Sequence, residues 1–205
     1  MRAHAQVIEM EDRRRMMIFI DLNNVEYGMN AFRSEGMYLD YSHLVEALSE
    51  GYDLMDVKVY DSNPVPGNSE LISLHQSLSN AGMDVILKDP APLENNMDRS
   101  CTQKEVDTSL VADVISNAYE DRYDVALIVS GDRDMRPAGD CIKRIGKDVI
   151  YASFYGTMCG EFRDSENRVV LEDIFVLEAV DSPLPCDCRS VATFDVIREA
   201  VADEL

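Results

Sequence analysis

Basic residues are scarce in this chain. Lysine and arginine number 19 against 39 aspartates and glutamates, a formal net charge of −20 over 205 residues. Such a chain repels phosphate at long range, which argues against a general nucleic-acid binder with a basic surface. Any nucleic-acid contact must be local and assisted by a cation. Long apolar runs are also missing. None approaches the roughly 18 residues that a membrane helix requires, and Met1 to Arg15 is charged, with no apolar stretch of signal-peptide length. The expected location is cytoplasmic, with no membrane partner. The five cysteines (Cys101, Cys141, Cys159, Cys186, Cys188) form no C-x-x-C pair. Cys186 and Cys188 make only a C-x-C, a weak zinc signal, and reduced thiols are the default in that compartment. The three histidines (His4, His43, His75) are scattered, give no catalytic pair and are expected on the surface or in packing.

What the chain does have is an ordinary globular balance, 46% hydrophobic and 28% charged. It is long enough for one domain with a proper core and tails, and it shows no internal repeat or low-complexity tract. Three segments are expected: an N-terminal extension over 1–15, a domain over 16–180 and a C-terminal tail over 181–205. In the extension, Arg13-Arg14-Arg15 reads as a solvated edge or an RNA contact. In the tail, Val191 to Leu205 has the spacing of a short amphipathic helix that docks on the domain or on a protein partner.

Between these ends, strands alternate with helices. Strands are expected at Met16 to Asp21, Leu54 to Tyr60, Met83 to Leu87, Asp124 to Val129 and Lys147 to Ala152. Helices fill the gaps: Val25 to Phe32, one capped by Asp40 or Ser42, Glu70 to Leu78, Glu105 to Tyr119 and Arg133 to Ile145. Asp61 to Asn68 and Lys88 to Gln103 read as loops, Phe154 to Arg168 as irregular, and Ile174 to Leu177 as an edge strand. This alternation predicts an α/β three-layer sandwich with a mostly parallel central sheet.

Two of these strands run into acidic turns. Met17 to Ile20 ends in Asp21-Leu22-Asn23-Asn24, and Val125 to Val129 ends in Ser130-Gly131-Asp132-Arg133-Asp134. Open α/β sheets place their chemistry beyond the carboxyl ends of strands, and a hard divalent cation is the simplest reason to gather carboxylates there. Asp132 alone also reads as the cap of the helix that follows it.

Three blocks carry a family resemblance: Phe19-Ile20-Asp21-Leu22-Asn23-Asn24, the run from Lys104 to Asp113, and the run from Val129 to Pro137. In that order they resemble the NYN domain, the LabA-like branch of the PIN-like nuclease superfamily, over roughly Met16 to Leu177. The resemblance implies a metal-dependent ribonuclease fold. It implies that Asp21, Asp107 and Asp132 are metal ligands, with Asp134 a further catalytic carboxylate and Asn24 a group orienting Asp21 or a water. Lys104, three residues before Asp107 and so able to share its helix face, would meet a substrate phosphate or pair with carboxylates. Asp113, about 120° around the helix from Asp107, would complete the acidic network or support the fold. Glu105, Arg133 and Met135 depart from the family pattern, at positions that bear on substrate choice more than on metal binding. Arg133 and Arg136 lie beside the acidic turn as candidate phosphate contacts.

The expected activity is an endoribonuclease using Mg²⁺ or Mn²⁺ on single-stranded RNA. The competing expectation is a regulatory or scaffold module with little turnover, acting through partner binding. A phosphatase is disfavoured, because Asn23 stands where a second aspartate would follow Asp21. A homodimer is conceivable, with a second subunit completing an RNA cleft.

Overall fold

A computed structural model describes residues 13–33, 36–64, 67–89, 100–173 and 178–179; residues 100–104 and 178–179 are described as backbone. The main sheet has six strands: β1 (Arg15–Asp21), β3 (Asp53–Ser62), β4 (Asp84–Lys88), β5 (Val125–Val129), β6 (Asp148–Ser153) and β7 (Arg168–Val170). Their spatial order is β4-β3-β1-β5-β6-β7, and every pairing is parallel. Strand β2 (Met37–Tyr38) pairs separately and antiparallel with β8 (Glu178–Ala179).

The helices are α1 (Leu22–Arg33), α2 (Tyr41–Leu48), α3 (Ser69–Asn80), α4 (Ser100–Tyr119), α5 (Arg136–Arg144) and α6 (Gly160–Arg163). The strands' two-residue period divides the core between the two faces of the sheet. Met16, Ile18 and Ile20 of β1 join Leu127 and Val129 of β5 beneath Val25, Met29, Leu44 and Leu78 of α1, α2 and α3. Met17, Phe19, Ala126 and Ile128 face the other way, beneath Val106, Leu110 and Val114 of α4 and Ala138 and Ile142 of α5. The result is the expected three-layer α/β sandwich with a parallel sheet. Both β1 and β5 are buried along nearly their whole length, which explains why they read as unbroken apolar runs.

Local signals set the element ends. Asp40 caps α2 by accepting from the Ser42 and His43 amides, and Asn68 caps α3 through the Leu71 amide. Gly146 takes φ of 80°, the left-handed conformation that lets the chain leave α5 for β6. The amino edge of the sheet is stapled by Arg15. Its guanidinium reaches both carboxylate oxygens of Asp124, at 2.8 and 3.1 Å. The Arg15 hydrogen bond holds the Asp124 carboxyl well below the usual range.

Several expectations change. The stretch from Phe154 to Arg168 is not wholly irregular, because α6 forms within it and stacks Phe162 on Tyr151, with ring centroids 3.8 Å apart. The edge strand is β7, earlier than expected; Ile174 to Leu177 lies outside the described residues, as do the tail helix and Cys186 and Cys188. Helix α4 starts at Ser100, inside the expected loop. Met16, Met17 and Met83 are buried core residues. Cys141 and Cys159 are free thiols. Among the described residues, no helix is long and apolar enough to cross a membrane.

Candidate active site

The chain steps from β1 outward to β3 and β4, then returns past β1 to lay down β5, β6 and β7 on its other side. The carboxyl ends of β1 and β5 therefore flank the point where strand order reverses, the usual binding crevice of an open α/β sheet. Ile20 of β1 is in register with Val129 of β5, so Asp21 and Ser130 emerge side by side.

Asp21 is 2% exposed. Its Oδ1 accepts from the Asn24 amide at 3.1 Å, capping α1, and its Oδ2 accepts from the Ser130 hydroxyl at 3.0 Å. Both donors are neutral. Burial pushes the carboxyl up to about 6, the two hydrogen bonds act the other way, and the charges of Asp132 and Asp61 raise it further. The Asn24 side-chain oxygen accepts from the Gly131 amide at 2.9 Å, and the Ser130 hydroxyl accepts from the Asp132 amide at 3.2 Å. The Asn24 side chain thus ties α1 to the turn after β5. A β-carbon on Gly131 would overlap the Thr157 carbonyl and crowd the Ser153 hydroxyl. Only glycine lets the segment after β6 close against this turn, where the Cys159 amide bonds the Gly131 carbonyl at 2.9 Å.

Asp132 is the cap residue of the short 3-10 turn Arg133–Met135, accepting from the Asp134 amide at 2.9 Å. The capping reading therefore holds. It occupies only Oδ1 and does not by itself exclude a second role. Asp107 and Asp134 line one cleft of about 580 Å³ with Thr108, Val111, Arg133, Arg136, Pro137 and Glu161. The alternation along β1 assigns Asp21 to the sheet face covered by α4, the helix that carries Asp107. Among the described residues, however, no three His, Cys, Asp or Glu side chains stand close enough to hold one metal ion. The structure brings Asp21 near Asp132, and Asp107 near Asp134, without closing the trio Asp21, Asp107 and Asp132 into a single cage.

Arg133 and Arg136 reach the cleft but are engaged there. Glu161 of α6 lies 2.9 Å from Arg136 and 3.7 Å from Arg133, and Asp140 lies 3.3 Å from Arg136. Lys104 is on the first turns of α4, with its side chain outside the described residues. Asp113 accepts the Tyr60 hydroxyl at 2.8 Å, linking α4 to β3, so it supports the fold. Burial, then this bond, raises the Tyr60 pKa far above its ordinary value.

Sequence reading missed Asp61, His75 and Glu161. Asp61 and His75 are each 6% exposed and meet through Nε2 and Oδ2 at 2.8 Å. His75 is thus a packing residue, one of the two places expected for the histidines, and the aspartate it meets was not foreseen. Asp61 follows Tyr60, which is in register with Asp21. It repeats the strand-then-aspartate pattern of the other two turns, but the loop-like residues after it hid that signal. Its strand parity sends it to the opposite face, toward α3, where the His75 ring meets it.

The carboxylate-only donor set suits a hard cation. Asp21 is desolvated and bonded only to neutral donors.

Comparison with solved structures finds a protein of unknown function from Vibrio parahaemolyticus at 21% identity and a TM-score of 0.66, covering 81% of this chain and 97% of that one. At that identity the likeness shows the fold alone. Two structures of the C-terminal domain of a hydrogenase from Pyrococcus furiosus align at 16% and 19% identity, with TM-scores of 0.39 and 0.40. Each covers 68% of this chain and 90% of its own, and at that score they carry no weight. No curated protein matches the chain. The family model of the NYN domain matches residues 15–173, a span containing β1 through β7 and every residue of the site described above. The chain therefore belongs to the NYN domain family, a nuclease-like family.

Proposed function

We propose that the chain is an endoribonuclease that hydrolyses RNA phosphodiester bonds with a carboxylate-bound Mg²⁺ or Mn²⁺. The observation that supports this most is Asp21. A carboxylate is buried at the switch point beside Asp132, bonded only to neutral donors, and costs stability unless a cation joins it. Membership of a nuclease-like family supports the same reading.

Asp21 and Asp132 would hold the ion, with Asp107 completing the set from α4. Magnesium typically takes one or two carboxylates and keeps several waters for the rest, so a closed three-ligand cage is not required. When bound, such a cation lowers the pKa of an attacking water and offsets charge developing on phosphate oxygens. The chain's own residues do the remaining work. Asn24 and Ser130 fix the Asp21 carboxylate and the turn after β5. Asp134, exposed in the cleft, accepts a proton or orients water near phosphorus. Arg136 and Arg133 meet the substrate phosphate, and Lys104 is the further cation proposed on that side. Single-stranded RNA is the favoured substrate, because its backbone is free to enter a local cleft on an otherwise acidic surface.

One observation favours a second reading, a scaffold module with weak turnover: the three proposed ligands do not converge among the described residues. Cleavage of labelled single-stranded RNA with Mn²⁺ or Mg²⁺ decides between them, run beside an EDTA control and the Asp132→Asn protein. Cutting by wild type alone supports the nuclease. Equal cutting by Asp132→Asn rejects this site. Silence of all three, with no rise in melting temperature on adding Mn²⁺, leaves the scaffold reading.

A further inference from the structure

On the segment that follows β6 stands an aromatic ring that the fold holds in place but does not bury. Tyr155 is 56% exposed, so it contributes little to the core. Its position is nonetheless fixed from two sides. The Arg163 guanidinium lies 4.7 Å from the ring centroid. Both oxygens of Glu172 accept the Tyr155 amide, at 2.9 and 3.1 Å. Glu172 is partly buried, which raises its carboxyl pKa.

The surroundings tie this ring to the candidate site. Tyr155 lies two residues beyond the carboxyl end of β6, the strand next to β5. Its segment is the one that closes on Gly131. Helix α6 serves both places at once: Glu161 lines the cleft and Arg163, two residues on, backs the ring.

We propose that Tyr155, backed by Arg163, is a stacking platform for a base of single-stranded RNA bound in the adjacent cleft. The proposal rests on the ribonuclease reading and adds how the strand is gripped. A net charge of −20 denies this protein the long-range attraction that normally supplies affinity for RNA. Base stacking does not depend on that field, and every base offers a π-face to an aromatic ring. Unpaired bases alone are free to stack in this way, since those of a duplex are already stacked on each other. The cation behind Tyr155 stabilises the ring where it stands.

The test is fluorescence anisotropy of a labelled single-stranded RNA octamer with the full chain, in Ca²⁺, with the RNA checked to be intact after the reading. Tyr155→Ala is expected to weaken binding about 5- to 100-fold, and Tyr155→Phe to stay within about twofold of wild type. An abasic octamer is expected to bind wild type and Tyr155→Ala alike. Tyr119→Ala is the control, removing a ring that is 65% exposed but sits at the far end of α4, toward the amino edge of the sheet. Melting curves confirm that each variant is folded. Equal binding of the natural octamer by Tyr155→Ala and wild type overturns the platform and leaves the ribonuclease reading intact. Weakened binding by Tyr155→Ala in a protein that cuts no RNA with Mn²⁺ upholds the platform and rejects the hydrolase. Failure of wild type to bind any RNA overturns both.

Discussion

The Ser130 hydroxyl donates to Asp21 Oδ2 at 3.0 Å across 109 positions of chain, while accepting the amide of Asp132 at 3.2 Å. One oxygen thus fixes two carboxylate-bearing segments from different strands. Ser130→Ala removes that brace and leaves Asp21 with one donor fewer. A cost of about 1–2 kcal/mol is expected in urea unfolding. The acidic limb of the pH profile of kcat/KM should move to higher pH, because the lost bond favoured the charged carboxylate. An unmoved limb would show that Asp21 is not the group titrating in the rate.

The pH dependence of stability follows from Asp21 itself. Its carboxyl ordinarily titrates at 3.8 and sits at about 6 when folded. Between those values the folded chain holds a proton that the unfolded chain has released. This contribution is complete below about 4, fades as pH rises through 6 and is absent above. The penalty at neutral pH is of order 3 kcal/mol. Asp21→Asn should therefore melt higher than wild type at pH 7.5 while losing activity, and the gap should close near pH 4. Mn²⁺ should raise the melting temperature of wild type and not that of the variant.

His75→Ala strands a buried carboxylate. Asp61 would lose its 2.8 Å partner while remaining beneath α3. Breaking one side of a buried pair costs about 3 kcal/mol or more, measurable as a fall in the urea midpoint. A change below about 0.5 kcal/mol would mean that water reaches Asp61.

Gly131→Ala must push the segment after β6 away from the acidic turn. Overpacking of this kind costs about 1–3 kcal/mol. Because the strain falls on the turn that carries Asp132, kcat should drop in a protein whose circular dichroism is unchanged. Full activity would mean that the two segments separate without disturbing the site.

Glu161→Gln should strengthen RNA binding by relieving Arg133 and Arg136 of a competing anion. These pairs are exposed, so the gain is small, up to about fivefold, and it should shrink as salt is raised. Tightening that persists unchanged at high salt would point to a conformational cause instead.

The legible part of this molecule was what depends on neighbours in sequence. The buried strands β1 and β5 announced themselves as apolar runs, and their terminal aspartates stood out because each follows such a run. Asp61 obeys the same pattern but was masked by the Asn63, Pro64 and Gly67 that follow, which read as loop. Its pairing with His75 depends on how α3 lies across the sheet, and no local period encodes that. The same holds for Glu161, whose salt bridges need α6 to pack over β6, and for the two-residue strands β2 and β8, too short to show a period. Asp113 had two open roles from its helical angle alone, and that angle gave no sign of its bond to the hydroxyl of Tyr60, 53 positions away.

The parallel pairing of β1 with β5 has a consequence for the protein's synthesis. The ribosome delivers Asp21 early, along with β3 and β4, but the strand that must lie on β1's other flank ends at Val129. A nascent chain halted anywhere before that point carries an unzipped central strand and only half of the acidic pair. Hydrolytic competence, on the reading proposed above, would switch on only after more than half of the polypeptide had left the exit tunnel, long after its first carboxylate had emerged beside the message being translated.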